Sequence, residues 1–524
     1  MGTSRRSKPE NRWIPELTIK SPSKISKRKN LLTTYYIIDV GGINIKKQIY
    51  RKILALGILL LFSGLMVFPA TGIINKKVDN TVKETYQTLT SSSDTIYKLL
   101  VIAPGQFEKE LEPLVSHKEN MGVSTVLITL DKVYDDMNEN GRDEPEKIKY
   151  FIKSAIEEWG TEYVLLVGGN KGQLPLWYFP VRYVNMDNDW EPHYISDLYY
   201  ADIYDSEKQF SSWDSDGDGR YGEWHEGEEP EDKNIDMSPD VAVGRLPCRN
   251  KLEVKIMVEK IIDYETNAYD KSWFNDMIVV AGDTYLEDQN PKWKGYEGEY
   301  YADRALENMT GFNPIKLYTS DETLTGQSDV INAVNQGCGF LYFVGHGNPM
   351  TWGNHPPNNE EFIKGLTVQD MYKLKNKHMY PVCVVSGCHN NQFDVSLLKI
   401  LDKKALYRGE ATFECWGWKL TRKIGGGSIA TIGCTALGHT KEDKNAFAGG
   451  INELEVQFFK QYGQNDVGLL GNTWIAAISW YIDTYPIDWN APEPDDLNDS
   501  WVDAQVAQSW ILFGDPSLQI GGYP

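Results

Sequence analysis

Cysteine is scarce in this chain. Six occur in 524 residues, Cys248, Cys338, Cys383, Cys388, Cys415 and Cys434. No two form a CxxC pair, which argues against a zinc ribbon or a thioredoxin-like motif. So few thiols in so long a chain also argue against a disulfide scaffold, leaving room for one or two bridges. Positive charge is in deficit as well. The formal net charge of −21 disfavours nucleic acid, or an anionic membrane surface, as the main partner of the folded part. Internal repeats at solenoid periods are absent. The remainder is ordinary: 41% hydrophobic and 24% charged residues are globular values. The length admits two or more domain-sized units with a sizeable core.

Charge is missing altogether from Ile53 to Phe68, ILALGILLLFSGLMVF, which follows a basic head ending in Lys46, Lys47, Arg51 and Lys52. With Pro69–Gly72 behind it, the stretch has the layout of an export signal. It is also at the short edge of what spans a bilayer. Residues 1–72 are therefore expected to be a signal peptide or a membrane anchor. The basic side stays inside, so everything downstream is expected to be extracellular, secreted or held at the outer face of the cytoplasmic membrane. Residues 73–96 are polar and read as a linker.

From Tyr97 onward strand and helix signals alternate. Strands are expected in 97–103, 123–130, 163–169, 240–246, 277–282, 339–345, 381–387 and 427–433, with helices in 144–160, 251–266, 300–309 and part of 436–463. Such alternation means βαβ units: an α/β fold, largely parallel, flanked by helices on both faces. A break near 250 divides it into two side-by-side α/β subdomains, 97–250 and 251–524.

The stretch 186–240 differs, being rich in Asp, Glu, Trp, Tyr and Gly. Within it DSDGDGRYGEWHE sets Asp214, Asp216 and Asp218 at alternate positions before Gly219. That spacing aims several carboxylates at one hard cation, and glycine permits the sharp turn. A structural calcium ion is expected here, held by Asp214, Asp216, Asp218 and Glu223. The twelfth loop position is His225 rather than Glu, so a regular EF-hand is not. DMNENGRDE at 136–144 is a weaker echo, which a turn capping the next helix explains as well. No organic cofactor is expected.

Two runs carry the chemistry. GFLYFVGHG ends a buried-strand signal at His346 and Gly347, and PVCVVSGC ends another at Cys388. Groups just beyond the carboxyl ends of parallel strands line the ligand crevice. An imidazole beside a thiol there is a base and a nucleophile. The N–H groups of Gly347 and Cys388 could form an oxyanion hole. The imidazolium would then protonate a leaving amine. A zinc site from His346, His355, Cys383, Cys388 and His389 is the weaker reading, since Cys383 falls mid-strand.

These runs resemble the gingipain family of cysteine endopeptidases, which have a caspase-like fold. The likeness rests on HG after an apolar strand, followed by Trp352, and on Cys388 with HNNQFD after the next. YKLLVIAPGQFEKELEPLVSHKENMGVSTVLIT, YVLLVGGNKGQLP, SDLYYADIYD, PDVAVGRLPC and WILFGDPSLQIGG match in order, covering about 97–521. The resemblance implies His346 as general base, Cys388 as nucleophile, and Asp283, at the end of MIVVAGD, as the acid that orients the histidine. It implies protein or peptide substrates, with Asp443 and neighbouring Glu442 as carboxylates for a basic P1 side chain and Trp352 at the substrate site. The family's aromatic pocket wall is not evident, His439 standing in that stretch. Little chain precedes residue 97 to serve as the long propeptide of well-known members. A catalytically silent, calcium-stabilised surface-binding protein of the same fold is the alternative.

Overall fold

The computed structural model describes residues 96–188, 190–286, 296–441, 449–489 and 500–524. The Ile53–Phe68 run, Glu442 and Asp443 lie outside them. Among the described residues no helix is long and apolar enough to cross a membrane.

Ten strands build one sheet. In chain order they are β1 (Leu99–Ala103), β2 (Thr125–Thr129), β3 (Tyr163–Val167), β4 (Ala242–Leu246), β5 (Asp276–Ala281), β6 (Asn313–Tyr318), β7 (Phe340–Val344), β8 (Val382–Ser386), β9 (Ala430–Cys434) and β10 (Trp510–Phe513). Their order across the sheet is β6-β5-β7-β8-β9-β10-β4-β3-β1-β2. All neighbours are parallel except β9 and β10. Two parallel blocks of opposite direction therefore meet at that one antiparallel seam. Carboxyl ends of β5, β7, β8 and β9 share one edge, and those of β1, β3 and β4 share the other.

Strands buried along their whole length, such as LLVIA, FLYFV and VCVVS, fit a sheet covered on both faces. One face rests on a single core that runs under both blocks, from Leu99 and Val101 through Val279 and Tyr342 to Val384. On the other face the core is split: Leu100, Ile102 and Val164 belong to one cluster, and Ile278, Leu341 and Phe343 to another. The expected boundary near 250 does not hold for the C-terminal strand, because Trp510–Phe513 joins the first block, parallel to Ala242–Leu246.

Helix ends follow their capping residues. Asp143 accepts from the Glu146 N–H, and Gly160 closes the same helix in a left-handed conformation (φ 66°). Asn250 accepts from Glu253 N–H at 3.0 Å to start Lys251–Asn267. A buried ionic knot ties this helix to the C-terminal GDPSL turn. The Lys118 ammonium lies 2.7 Å from Glu265 and 2.8 Å from Asp515, with all three side chains sealed from solvent.

Candidate active site

β7 and β8 pair in register with Val344 opposite Ser386, and the Gly345 N–H donates to the Ser386 carbonyl at 3.2 Å. His346 and Cys388 are each two residues beyond that pair, on adjacent strands at the same edge. Backbone packing there is close. A Cβ on Gly387 would come within 3.1 Å of the Gly347 nitrogen and 2.2 Å of the Asn390 Oδ1, and one on Gly347 within 2.3 Å of the same oxygen. Asn390 locks the two turns, its Nδ2 donating to the carbonyls of Asn348 (2.8 Å) and Thr351 (3.3 Å).

His346 opens a small antiparallel sheet of His346–Asn348, Thr351–Asn354 and Ile363–Thr367. Its Nε2 is 2.8 Å from the Thr284 carbonyl. A carbonyl only accepts, so Nε2 carries the proton and Nδ1 is left with its lone pair. Tyr285 meets the ring edge-on at 6.1 Å and His355 at 5.7 Å. Burial pushes the imidazole down to about 4, and the Thr284 hydrogen bond only partly offsets this.

Cys388 is the one half-buried cysteine; the other five are buried. Burial raises its thiol above the ordinary value, the Gly438 N–H opposes this, and the Glu191 carboxylate adds to it. The Gly438 N–H points at the sulfur from 3.3 Å. His389 follows with φ 59°, a left-handed turn uncommon outside glycine, and its N–H donates to Ala436 O at 2.8 Å.

Glu191 gives no local motif signal, yet it reaches the site from the acidic insertion. Its Oε2 accepts from Leu437 N–H at 3.0 Å, and its Oε1 lies 3.5 Å from His389 Nδ1. It thereby holds the Leu437–Gly438 loop whose N–H faces the thiol. Burial pushes its carboxyl up to about 8.

Two expected roles change. The acceptor on His346 is the Thr284 carbonyl rather than Asp283. The Asp283 carboxylate instead takes the Asn358 N–H at 2.6 Å and neighbours Glu297, which burial, with the Asp283 charge adding, pushes up to about 8. The Asp283 backbone pairs with the end of the His346 hairpin, its N–H donating to His355 O at 3.0 Å. Trp352 is fully buried, packs on Phe343 at 4.9 Å and donates to Ser386 O at 2.9 Å. It braces β8 and is not a substrate contact.

In the acidic insertion the carboxylates of Asp214, Asp216 and Asp218 lie within 4.8 Å of one another, and among the described residues no other three such side chains gather as closely. His346, His355, Cys383, Cys388 and His389 do not gather into such a cluster. Asp214 accepts from Gly217 N–H at 2.7 Å and Gly219 N–H at 3.0 Å, and Arg142 pairs with it at 2.6 Å. Glu223, expected as a ligand, turns to Arg220 instead. Asp232 is the acidic neighbour the spacing did not reveal: it accepts from Ser215 N–H at 2.5 Å, and burial pushes it up to about 7.

Residues 92–521 match the model of peptidase family C25. Gingipain R2 of Porphyromonas gingivalis is 22% identical over 429 residues, which is 81% of this chain and 46% of that protein. Gingipain R1 of the same organism is 20% identical over 427 residues, 81% of this chain and 34% of that one. An uncharacterised protein of Archaeoglobus fulgidus is 27% identical over 177 residues, 32% of this chain and 41% of that one. The chain spans about half the length or less of these curated relatives. The crystal structure of the Arg-specific cysteine proteinase gingipain R superposes with a TM-score of 0.54 at 17% identity, covering 81% of this chain and 78% of that one. The two share an α/β, caspase-like fold. With the family model spanning nearly every described residue, and the paired strand ends at its centre, the chain is a member of peptidase family C25.

Proposed function

We propose that this chain is a cysteine endopeptidase acting outside the cytoplasm, with Cys388 as nucleophile and His346 as base. The observation that carries the reading is the β7–β8 register, which favours a thiol and an imidazole side by side at the carboxyl edge. His346 Nδ1 takes the thiol proton as sulfur attacks the scissile carbonyl. The N–H groups of Gly347 and Cys388 stabilise the oxyanion. The imidazolium then protonates the leaving amine, giving a thioester and a free amine. A water that loses its proton to His346 hydrolyses the thioester and restores the thiol. The Thr284 carbonyl does what an acidic partner would do, fixing tautomer and ring orientation.

The P1 side chain in this reading is basic. Glu442 and Asp443 are the carboxylates that would pair with it in this proposal. A solved relative is Arg-specific by its title. Asp214, Asp216 and Asp218 would hold a structural calcium ion, a hard cation suited to carboxylate oxygens. The Ile53–Phe68 run would export the chain or anchor it.

The test is turnover of fluorogenic peptides with Arg, Lys, Leu or Asp at P1, with and without a calcium chelator. Arg and Lys substrates should be preferred. Cys388→Ala should lose at least about a thousandfold in turnover, and chelation should lower the melting temperature. Equal rates on Leu would end the basic-P1 reading. Activity surviving in Cys388→Ala would end the nucleophile assignment, and no turnover with any substrate would favour the silent surface-binding alternative.

A further inference from the structure

The surface feature least explained by catalysis is an excursion just past the candidate nucleophile. It leaves the fold at Ser396 and returns at Glu410, closed by the Ser396 N–H on the Glu410 carbonyl at 3.1 Å. Between them lie a 3-10 turn, Leu397–Leu401, and a short helix, Lys403–Tyr407. Ala405 is the buried anchor, and the Lys399–Glu410 pair at 2.7 Å braces the base. The apolar side chains point outward. Leu397, Leu398, Ile400, Leu401, Leu406 and Tyr407 are 46%, 61%, 50%, 80%, 54% and 48% exposed. Gln173 bonds the Leu397 N–H at 2.6 Å and the Phe413 carbonyl at 3.2 Å, so exposed Leu174 and Leu176 extend the same patch. Scattered exposed leucines are ordinary, but a contiguous cluster marks an interaction site.

Charge selects the partner. In a chain of net charge −21, LLKILDKKALYRG carries four basic side chains and one acidic one, Asp402, which caps the helix by accepting from Lys404 N–H at 2.8 Å; Lys399 and Arg408 face Glu410 at the base, leaving Lys403 and Lys404 outermost. Lys403 and Lys404 are exposed. Lysine is depleted in the cores of protein–protein interfaces. Leucines entering an apolar layer while lysines reach back to phosphates is the pattern of a bilayer interface. Aromatic rings at the rim fit the headgroup level: Tyr407 meets Trp190 edge-on at 6.2 Å, and the Arg408 guanidinium lies over the Trp190 ring at 4.6 Å.

We propose that Leu397–Gly409 is a membrane-docking loop that inserts its leucines into an anionic lipid surface. The rest of so acidic a chain is repelled by such a surface, so the loop sets the orientation. It also sets what the cleft meets. A Cβ on Gly409 would lie 2.9 Å from Asn348 Oδ1, two residues after His346, and Trp190 precedes Glu191 at the thiol. Docking holds the mouth of the site against the membrane, where membrane-tethered polypeptides are its nearest substrates.

Because Ile53–Phe68 is itself apolar, the test reads the loop locally, by amide hydrogen exchange on the full chain. Phosphatidylglycerol–phosphatidylcholine vesicles should slow exchange in 397–409 by about tenfold or more, and phosphatidylcholine alone by much less. Leu398→Glu/Leu401→Glu, at two exposed positions, should remove the protection and leave turnover of soluble peptides unchanged. Unchanged exchange with anionic vesicles, equal protection by neutral ones, or protection surviving in the double variant would overturn the proposal. So would protection that grows with protein concentration in the absence of lipid, which would make the patch a contact between copies.

Discussion

Replacing His346 with alanine distinguishes two resting states of the thiol. Burial pushes His346 down to about 4 and lifts Cys388 above the ordinary 9.0. Between those values the proton belongs to sulfur. Both shifts oppose moving the proton to the imidazole, and each pKa unit between the two groups costs about 1.4 kcal/mol. The neutral thiol–imidazole pair is therefore the resting form. His346 is then a base in the transition state and not a counter-ion at rest. The assay compares iodoacetamide alkylation and thiolate ultraviolet absorbance in the wild type, Cys388→Ser and His346→Ala. The other five cysteines are buried, so alkylation reports on Cys388. Its rate should climb about tenfold per pH unit between about pH 7 and about pH 9. His346→Ala should change it by less than about threefold while peptide turnover falls by about a hundredfold or more. Stoichiometric thiolate at about pH 6 that vanishes in His346→Ala would refute the reasoning.

Three further outcomes follow from the same geometry. Glu191 has its folded-state pKa raised to about 8 by burial, so the folded chain binds its proton more tightly than the unfolded one and stability falls as pH rises from about 4.3 to about 8. Glu191→Gln removes that fall, and denaturant titration should show it stabler than wild type by up to about 5 kcal/mol at about pH 8 and no different at about pH 4; a gap that ignores pH contradicts this. Gly347→Ala drives a Cβ to 2.3 Å from Asn390 Oδ1, so it should lose about 1–3 kcal/mol of stability and lower kcat more than it alters KM; wild-type kinetics would show that the two turns are not locked. Lys118→Met strands Glu265 and Asp515 without their buried cation, which should cost about 3–5 kcal/mol in denaturant titration while turnover per folded molecule is unchanged; a neutral effect would mean that the knot contributes nothing to stability.

What could be read ahead of the structure has a physical boundary. All eight strands expected from apolar runs are present, because a strand buried on both faces must be apolar throughout and announces itself locally. The two unforeseen strands of the ten-stranded sheet lack that signature. Asn313–Tyr318 is an edge strand, exposed over its first half and carrying Pro314 and Lys316, as edges do. Trp510–Phe513 is only four residues long and follows the Ser500–Ser509 helix without a turn. The positions of His346, Gly347 and Cys388, just past two such strands, were legible for the same reason. Their partners were not. Glu191 lies far upstream in an irregular acidic insertion, and Thr284 contributes a carbonyl, which no residue type encodes. Trp352 misleads in the opposite way: beside His346 in sequence, it is turned into the core by the antiparallel pairing of Gly347 with Trp352. A reactive group at a strand end is a local property of the chain. The groups that set its proton affinity come from whichever loops the sheet gathers at that edge, so they answer to topology, and here the insertion of one block reaches the strand ends of the other.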